Sequence, residues 1–302
     1  MGYHVPVMVR EVTDGLVVDP DGTYMDATAG GGGHSEALLH ALGKQGHLIA
    51  VDRDWEAVEA SQARLSTDAR AVVWQGSFAE LSGLLAEQGG GALSGVLFDL
   101  GVSSHQFDVA ERGFSFRFDS ELDMRMNNSS SLSGRKVVNE YSKEDLANLF
   151  FKYGEIRISR KVAELIVLAR EEKEIVTTTE LLEILDGVVP DKRRNQFLSQ
   201  VFQSIRIEVN QEIESLKQML IDGVELLNIG GRFVVLSYHS LEDRLVKRFI
   251  QNGTFESDAI SDIYGNKDLI FKKIGKLISP DKEEVESNNR SRSAKLRVAR
   301  KI

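Results

Sequence analysis

MDATAGGGGHSEALL, residues 25 to 39, predicts the architecture of the chain. Four successive glycines, Gly30 to Gly33, separate a short apolar run from a helical pattern that begins near Ser35. Glycine lets the backbone turn sharply and lets its N–H groups come close to a ligand. We therefore predict a strand, a glycine-rich turn that binds a ligand, and a helix. The alternative is a flexible turn that binds nothing.

Apolar runs and helical patterns alternate through the first hundred residues. Strands are predicted over residues 24–28, 47–51, 71–74 and 96–100, and helices over residues 36–42, 55–65 and 78–87. This βαβαβαβ order predicts an α/β fold, with a parallel sheet covered by helices. The run GGRFVVLSYHS, Gly230 to Ser240, adds a fifth strand and a following helix, which Ser240 and Asp243 are expected to cap.

A polar stretch and a helical region interrupt the strand pattern. Residues from about 106 to 139 are rich in Gly, Ser and Asn, and helical periods run from 143 to about 200. We therefore predict two domains. Residues 1–106 plus 213–302 form the α/β domain, and residues 107–212 form an inserted, mostly helical domain.

The composition is that of a globular protein. The chain has 302 residues, of which 42% are hydrophobic and 27% charged. Zero cysteines exclude disulfides and thiolate chemistry, and six scattered histidines make a metal site unexpected. Neither a secretion signal nor an apolar run of about 18 residues is visible, so we expect a cytoplasmic protein with no membrane partner.

Two acidic residues end predicted strands where nucleotide-binding sheets use carboxylates. Asp52 follows the glycines by about twenty residues, the position at which an acidic side chain binds ribose hydroxyls. Asp99 lies at the carboxyl edge, where open α/β sheets bind ligands, although it could merely cap the next turn. The glycines do not match G-x-G-x-x-G/A, which disfavours a pyrophosphate-bearing dinucleotide. S-adenosylmethionine fits better, and Phe78 could cover its adenine ring.

Motifs along nearly the whole chain carry a resemblance to a known family. They are HVPVMVREV, DATAGGGGHS, DRD, DLGVSSHQFD, RGFSF, LDMRMN, YGEIRISRKVA, FQSIRIEVNQEIESL, GGRFVVLSYHSLEDRLVK and NNRSRSAKLRVA. The chain resembles the bacterial methyltransferases that modify the exocyclic N4 of a cytidine in small-subunit (16S) ribosomal RNA, the RsmH/MraW family. The resemblance implies a Rossmann-like S-adenosylmethionine methyltransferase domain with an inserted helical domain for substrate recognition.

The resemblance also implies a cofactor and a set of residues around it. The cofactor is S-adenosylmethionine, and the partner is 16S ribosomal RNA within the small ribosomal subunit. The residues implied around the methyl donor are Gly32, Gly33, His34, Asp52, Phe78, Asp99 and Gln106. The assignment of His34 rests on the resemblance alone.

Methylation of cytosine N4 calls for a hydrogen-bond acceptor beside the amino group, because the nitrogen lone pair is delocalised into the ring. The sequence alone does not identify the residue that provides this acceptor. Asp99 and Asp123 are candidates, as is a polar cluster after the fifth strand that contains Tyr238, His239, Ser240 and Asp243. Each also has a structural interpretation: Asp123 could pair with Arg125, Ser240 could cap a helix, and His239 could be a structural donor.

The carboxyl-terminal segment NRSRSAKLRVARKI, residues 289–302, has six basic residues and no acidic one, within a chain of net charge −9. The overall charge argues against a whole surface that binds nucleic acid. The segment itself could be a solvated tail, could pack against the cofactor domain, or could contact RNA phosphates through Arg290, Arg292 and Lys295.

Two other function classes compete with the methyltransferase interpretation. The glycine turn and Asp52 would also suit an NAD-dependent oxidoreductase. A non-catalytic ribosome-assembly factor could keep the same fold without the chemistry.

Overall fold

The computed structural model describes residues 6–76, 92–100, 113–126, 130–188, 193–256 and 269–302. The chain divides into two compact units. A sheet unit comprises Met1–Gly101 and Leu216–Ile302, and a helical unit comprises Val102–Ser215. The boundaries predicted from the sequence lie after residue 106 and before residue 213.

The sheet unit alternates strands and helices as the sequence predicts. Its first part contains, in chain order, α1 (Val9–Leu16), β1 (Thr23–Asp26), α2 (Gly33–Ala41), β2 (His47–Asp52), α3 (Trp55–Leu65), β3 (Ala71–Gln75) and β4 (Leu93–Leu100). Its second part contains most of α9 (Glu212–Leu226), then β5 (Leu227–Ser237), α10 (Ser240–Asn252), β6 (Phe271–Ile278), α11 (Lys282–Ser287), a 3₁₀ turn (Asn289–Ser293) and β7 (Lys295–Lys301). The helix predicted over residues 78–87 lies outside the described residues.

The described strands form one sheet in the order β3-β2-β1-β4-β5-β7-β6. The first five are parallel to one another, and β7 runs antiparallel to both β5 and β6. Strand interiors are apolar because helices cover the sheet, and Tyr24, Leu97 and Leu236 are fully buried. Parallel strands point the same way, so β1, β2, β4 and β5 all end at one edge.

The carboxyl-terminal basic segment forms an inner strand of the sheet, so its interpretation as a solvated tail is wrong. Leu296, Val298 and Ala299 of β7 are buried between β5 and β6. The basic residues of β7 flank these buried residues in the sequence and are less buried than they are. Lys301 donates to the carbonyls of Val224 and Leu227 at 2.6 and 2.8 Å, so part of the positive charge stabilises the sheet unit itself.

The helical unit has its own core. It contains α4 (Gly134–Glu140), α5 (Lys143–Gly154), α6 (Ser159–Glu172), α7 (Thr178–Leu185) and α8 (Arg194–Val209). Side-chain caps begin several of these helices: the Ser142 side chain accepts from Asp145 N, and Thr177 with Glu180 forms a capping box. Phe150, Val162 and Ile205 are fully buried in its core.

None of the helices in the described parts of the chain is both long and apolar enough to span a lipid bilayer.

We expect Arg297→Ala to destabilise the protein by about 3 kcal/mol, because it removes a partner from a nearly buried carboxylate. Arg297 Nε lies 2.7 Å from Asp243 Oδ1, with both side chains largely buried. Burial raises the pKa of Asp243, but Arg297 and Lys295 more than offset it, so the pKa is lowered. The measurement is urea unfolding.

The matched control is Arg300→Ala, an exposed position of the same strand, which should change the unfolding free energy by less than about 0.5 kcal/mol. Equal losses in the two variants would contradict a structural role for the Arg297–Asp243 pair.

Candidate functional site

The glycine turn between β1 and α2 closes against the end of β2. Gly30 and Gly32 have φ of 52° and 76°, the left-handed region that favours glycine. Gly30 N donates to Asp52 Oδ2 at 2.8 Å, and Gly30 O accepts from the Ser61 hydroxyl at 2.9 Å. A Cβ at Gly32 would lie 3.1 Å from Ser61 Oγ. The turn is therefore held tightly between β2 and α3.

Asp52 ends β2 and organises the turn. Its Oδ1 accepts from Asp54 N at 2.9 Å, while Oδ2 holds Gly30. Burial raises the pKa of Asp52, and these backbone N–H groups oppose the rise. A carboxylate offers about four acceptor positions. Asp52 can therefore shape the turn and still accept hydrogen bonds from ligand hydroxyls.

Asp99, near the end of β4, is held from three sides. Its backbone N–H donates to the Thr28 hydroxyl at 2.6 Å. The Tyr238 hydroxyl, just beyond β5, donates to Oδ1 at 2.8 Å, and His34 Nδ1 lies 3.4 Å from Oδ2. Both carboxylate oxygens are oriented by neighbours, yet the side chain keeps 23% of its exposure. Asp99 can therefore still accept a hydrogen bond from a ligand.

His34 is a buried cation. Both ring nitrogens face acceptors, since Nε2 lies 2.8 Å from the Val7 carbonyl and Nδ1 faces Asp99. A neutral imidazole has one N–H and cannot donate to both. Burial lowers the pKa of His34, but the hydrogen bond and charge of Asp99, together with the charge of Asp26, raise it to about 9.

Asp26, at the end of β1, is the second carboxylate beside His34. Its oxygens accept from Thr28 N at 3.2 Å and from the Ser35 hydroxyl at 2.7 Å. Burial raises the pKa of Asp26 to about 6 against the opposing charge of His34. Near neutral pH the site therefore contains a cation between two carboxylates.

Tyr238 remains a hydrogen-bond donor. Burial, followed by the charge of Asp99, raises the pKa of Tyr238 far above its ordinary value of 10. Its backbone N–H donates to Glu242 Oε2 at 3.0 Å, which fixes the start of α10 beside Asp99.

The structure places some of the predicted cofactor residues together and leaves others undescribed. Gly32 caps α2, Gly33 begins it, and His34 follows with its side chain buried. Asp52 and Asp99 belong to parallel strands that end at the same edge of the sheet. Phe78 and Gln106 lie outside the described residues.

The capping box of α10 falls on His239, so the box expected from Ser240 and Asp243 is wrong. The His239 side chain accepts from Glu242 N, and the Glu242 carboxylate accepts from His239 N. The box forms one residue earlier because Glu242 can reach back to the backbone before the helix. His239 therefore caps a helix, Ser240 is the first residue of that helix, and Asp243 pairs with Arg297 and Lys295.

Asp123 lies in the helical unit, in a turn that is held firmly. Arg125 binds both carboxylate oxygens, with Nε 2.6 Å from Oδ1 and Nη2 2.7 Å from Oδ2. The Asn210 side chain accepts from Met126 N and donates to the Met124 carbonyl. Met124 has φ of 61°, which this pair of bonds supports. Asp123 therefore forms a bidentate ion pair with Arg125.

Two of the three basic residues expected to contact RNA, Arg292 and Lys295, have described side chains, and their surroundings differ. Arg290 and Arg292 lie in the 3₁₀ turn before β7, and Arg292 is exposed. Lys295 Nζ lies 3.3 Å from Asp243 Oδ2, so its charge is already partly compensated.

No group of three or more His, Asp or Glu side chains within the described part of the chain is arranged to hold a metal ion.

Sequence reasoning missed Asp26 and Thr28 as members of this site. A signal was present, because Asp26 ends the first strand directly before the glycine turn and Ser35 lies in the first turn of the next helix. What the sequence could not show is that His34 would turn inward between Asp26 and Asp99.

We expect the wild-type protein to lose stability between pH 6.5 and 9, and His34→Gln to lose much less. The folded-state pKa of about 9 lies above the ordinary 6.5, so the contribution is complete below pH 6.5 and is lost as the pH rises through 9. Its full size is about 3 kcal/mol. Urea unfolding at several pH values measures it, and parallel pH curves for the two proteins would contradict a buried imidazolium.

Comparison with known proteins identifies the family of the chain. Residues 1–302 match the model of the MraW methylase family. The chain is 52% identical over 302 residues to ribosomal RNA small subunit methyltransferase H of Flavobacterium johnsoniae, covering 100% of this chain and 99% of the relative. It is 49% identical over 302 residues to the protein of the same name from Christiangramia forsetii, with the same coverage.

Among solved structures, an rRNA methylase from Streptococcus thermophilus is 12% identical with a TM-score of 0.40, over 97% of this chain and 93% of that one. Family membership follows from the family match over residues 1–302 and from relatives that are about half identical over the whole chain. The chain belongs to the MraW methylase family.

Proposed function

We propose that this methylase transfers a methyl group from S-adenosylmethionine to the exocyclic N4 of a cytidine in 16S ribosomal RNA. Its partner would be the small ribosomal subunit, and it would act in the cytoplasm. Membership of the methylase family over the whole chain is the observation that carries the proposal. The names of its relatives specify ribosomal RNA of the small subunit. Neither an NAD-dependent oxidoreductase nor a non-catalytic assembly factor has comparable support.

The residues of the sheet unit suit S-adenosylmethionine. The close-packed glycine turn offers backbone to a ligand, and Asp52 retains acceptor positions for ribose hydroxyls. Asp99 adds a carboxylate at the same edge. We assign cofactor binding to the sheet unit, and substrate recognition to the helical unit.

The bound cofactor supplies an electrophilic methyl group, and the protein aligns the amine with it. We assign Asp99 as the acceptor for the cytosine amino group. Tyr238 and His34 orient its two oxygens, and its remaining exposure leaves room for an N–H donor. Asp99 would accept the proton that N4 loses when the methyl group leaves the sulfonium sulfur for the nitrogen, so that S-adenosylhomocysteine would be the other product.

Asp123 and His239 are weaker candidates for this acceptor. Asp99 lies at the same sheet edge as the residues assigned to the cofactor, whereas Asp123 pairs with Arg125 in the helical unit and His239 caps α10 beside Glu242. Of Arg292 and Lys295, Arg292 is the better placed to contact RNA, because it is exposed whereas Lys295 pairs with Asp243.

The proposed reaction is tested with purified small subunits from cells that lack this protein. Incubation with labelled S-adenosylmethionine should yield N4-methylated cytidine in 16S ribosomal RNA, detected by mass spectrometry of the nucleosides. Calorimetry should show heat on addition of S-adenosylhomocysteine and none with NAD. Absence of methylation by the folded protein would reject the proposal.

We expect Asp52→Ala to weaken S-adenosylmethionine binding by about 1 to 3 kcal/mol, since it removes acceptors for the ribose and releases Gly30. Asp54→Ala is the matched control. It removes the cap of α3 in the same segment and should lower stability with little change in affinity. Calorimetric titration measures both, and unchanged affinity in folded Asp52→Ala would contradict the assignment.

We expect Asp99→Asn to lower single-turnover methylation by about 100-fold or more, the range of a positioned general base. Asp123→Asn should instead lower the free energy of unfolding, because it weakens the pair with Arg125, and should leave the rate within about threefold. Rapid-quench assays at saturating RNA measure the rates. The reverse order of effects would make Asp123 the acceptor.

A further inference from the structure

The junction of α5 and α6 combines exposed apolar and basic side chains. Phe151 keeps 65% of its exposure, and Ile158 keeps 42%. Glu155 takes φ of 54°, and the Phe150 carbonyl accepts from the N–H groups of Glu155 and Ile156. The chain therefore folds back at once beside the last turn of α5. We call residues 151–161 the junction surface.

The junction surface is basic in an acidic protein. It contains Lys152, Arg157, Arg160 and Lys161, and Glu155 is its one acidic residue, whereas the chain carries a net charge of −9. Lys161 pairs with Glu164 at 3.0 Å. The two arginines are exposed, and neither guanidinium has an ion-pair or hydrogen-bond partner among the described residues.

Three other arginines of the helical unit form ion pairs within the fold. Arg125 pairs with Asp123, Arg135 with Glu174, and Arg206 with Glu212. Such pairs use the planar guanidinium to bind a carboxylate within the fold. Arg157 and Arg160 have no such role among the described residues, so their charge is available to a ligand.

Lys152 adds a cation beside an aromatic ring to the junction surface. Its Nζ lies 4.8 Å from the centre of the Tyr153 ring and 3.1 Å from the Tyr153 hydroxyl. Single-stranded RNA is bound by such combinations, because exposed rings stack on bases and cations neutralise phosphates.

We propose that the junction surface binds a single-stranded segment of the ribosomal RNA substrate, with Phe151 stacking on a base and Arg157 and Arg160 contacting phosphates. The proposal rests on the proposed function for its substrate. A protein partner of the same surface would need acidic side chains opposite the arginines, and the test separates it from RNA.

The test measures binding to two probes, small subunits that lack the methylation and protein-free 16S ribosomal RNA transcript. Arg157→Ala with Arg160→Ala should weaken binding to both and reduce the slope of log affinity against log salt by about 1.4, the value for two phosphates of a single strand. Phe151→Ala should weaken binding about tenfold without changing the slope. Affinity for S-adenosylmethionine and thermal stability should stay unchanged.

The controls remove equivalent groups elsewhere. Leu168→Ala removes an apolar side chain that is 54% exposed on α6, and Arg10→Ala with Lys44→Ala removes two exposed charges of the sheet unit. Both should bind like wild type. Junction variants that keep wild-type affinity and slope would overturn the proposal, as would losses seen with subunits but absent with protein-free RNA. Failure of wild type to methylate rejects the proposed function instead, since binding is measured separately.

Discussion

The carboxyl edge of the parallel strands depends on one interaction, a protonated imidazole buried between two carboxylates. A buried ion costs several kcal/mol unless neighbours compensate it. His34 is compensated by Asp26, Asp99 and the Val7 carbonyl. These groups come from the segment before α1, from β1 and from β4. The positive charge of His34 therefore stabilises contacts between distant parts of the sequence and helps to orient the Asp99 side chain.

Much of this edge could be predicted from strand order. The glycine turn, Asp52 and Asp99 all follow from where apolar runs end, since parallel strands end at one edge. The direction of His34 could not be predicted, because an inward turn depends on packing against Asp26 and Val7. The cap of α10 lies one residue from the predicted position for a similar reason: His239 and Ser240 both offer an acceptor, and the reach of Glu242 decides between them.

The basic carboxyl-terminal strand is hard to recognise as a strand because so many of its residues are charged. In β7, apolar Leu296 and Val298 alternate with basic residues, which is a strand pattern. A tail is nevertheless a natural interpretation, because the charges in a sequence do not reveal their partners. Arg297 and Lys301 bind groups of the sheet unit, whereas Arg157 and Arg160 of the helical unit bind none of the described groups. Only the contacts in the structure show which basic residues are paired within the fold and which are not.

The position of β7 between β5 and β6 also constrains how the sheet can assemble. Among the described strands β6 pairs with β7, so it joins the sheet through a strand that follows it in the chain. Until β7 arrives, β5 presents an open edge that carries Phe233, Val234 and Val235, all buried in the finished sheet. An apolar open edge is a template for pairing with other chains. A folding chain in which β7 docks late would therefore be open to aggregation at β5, a hazard that the completed sheet removes.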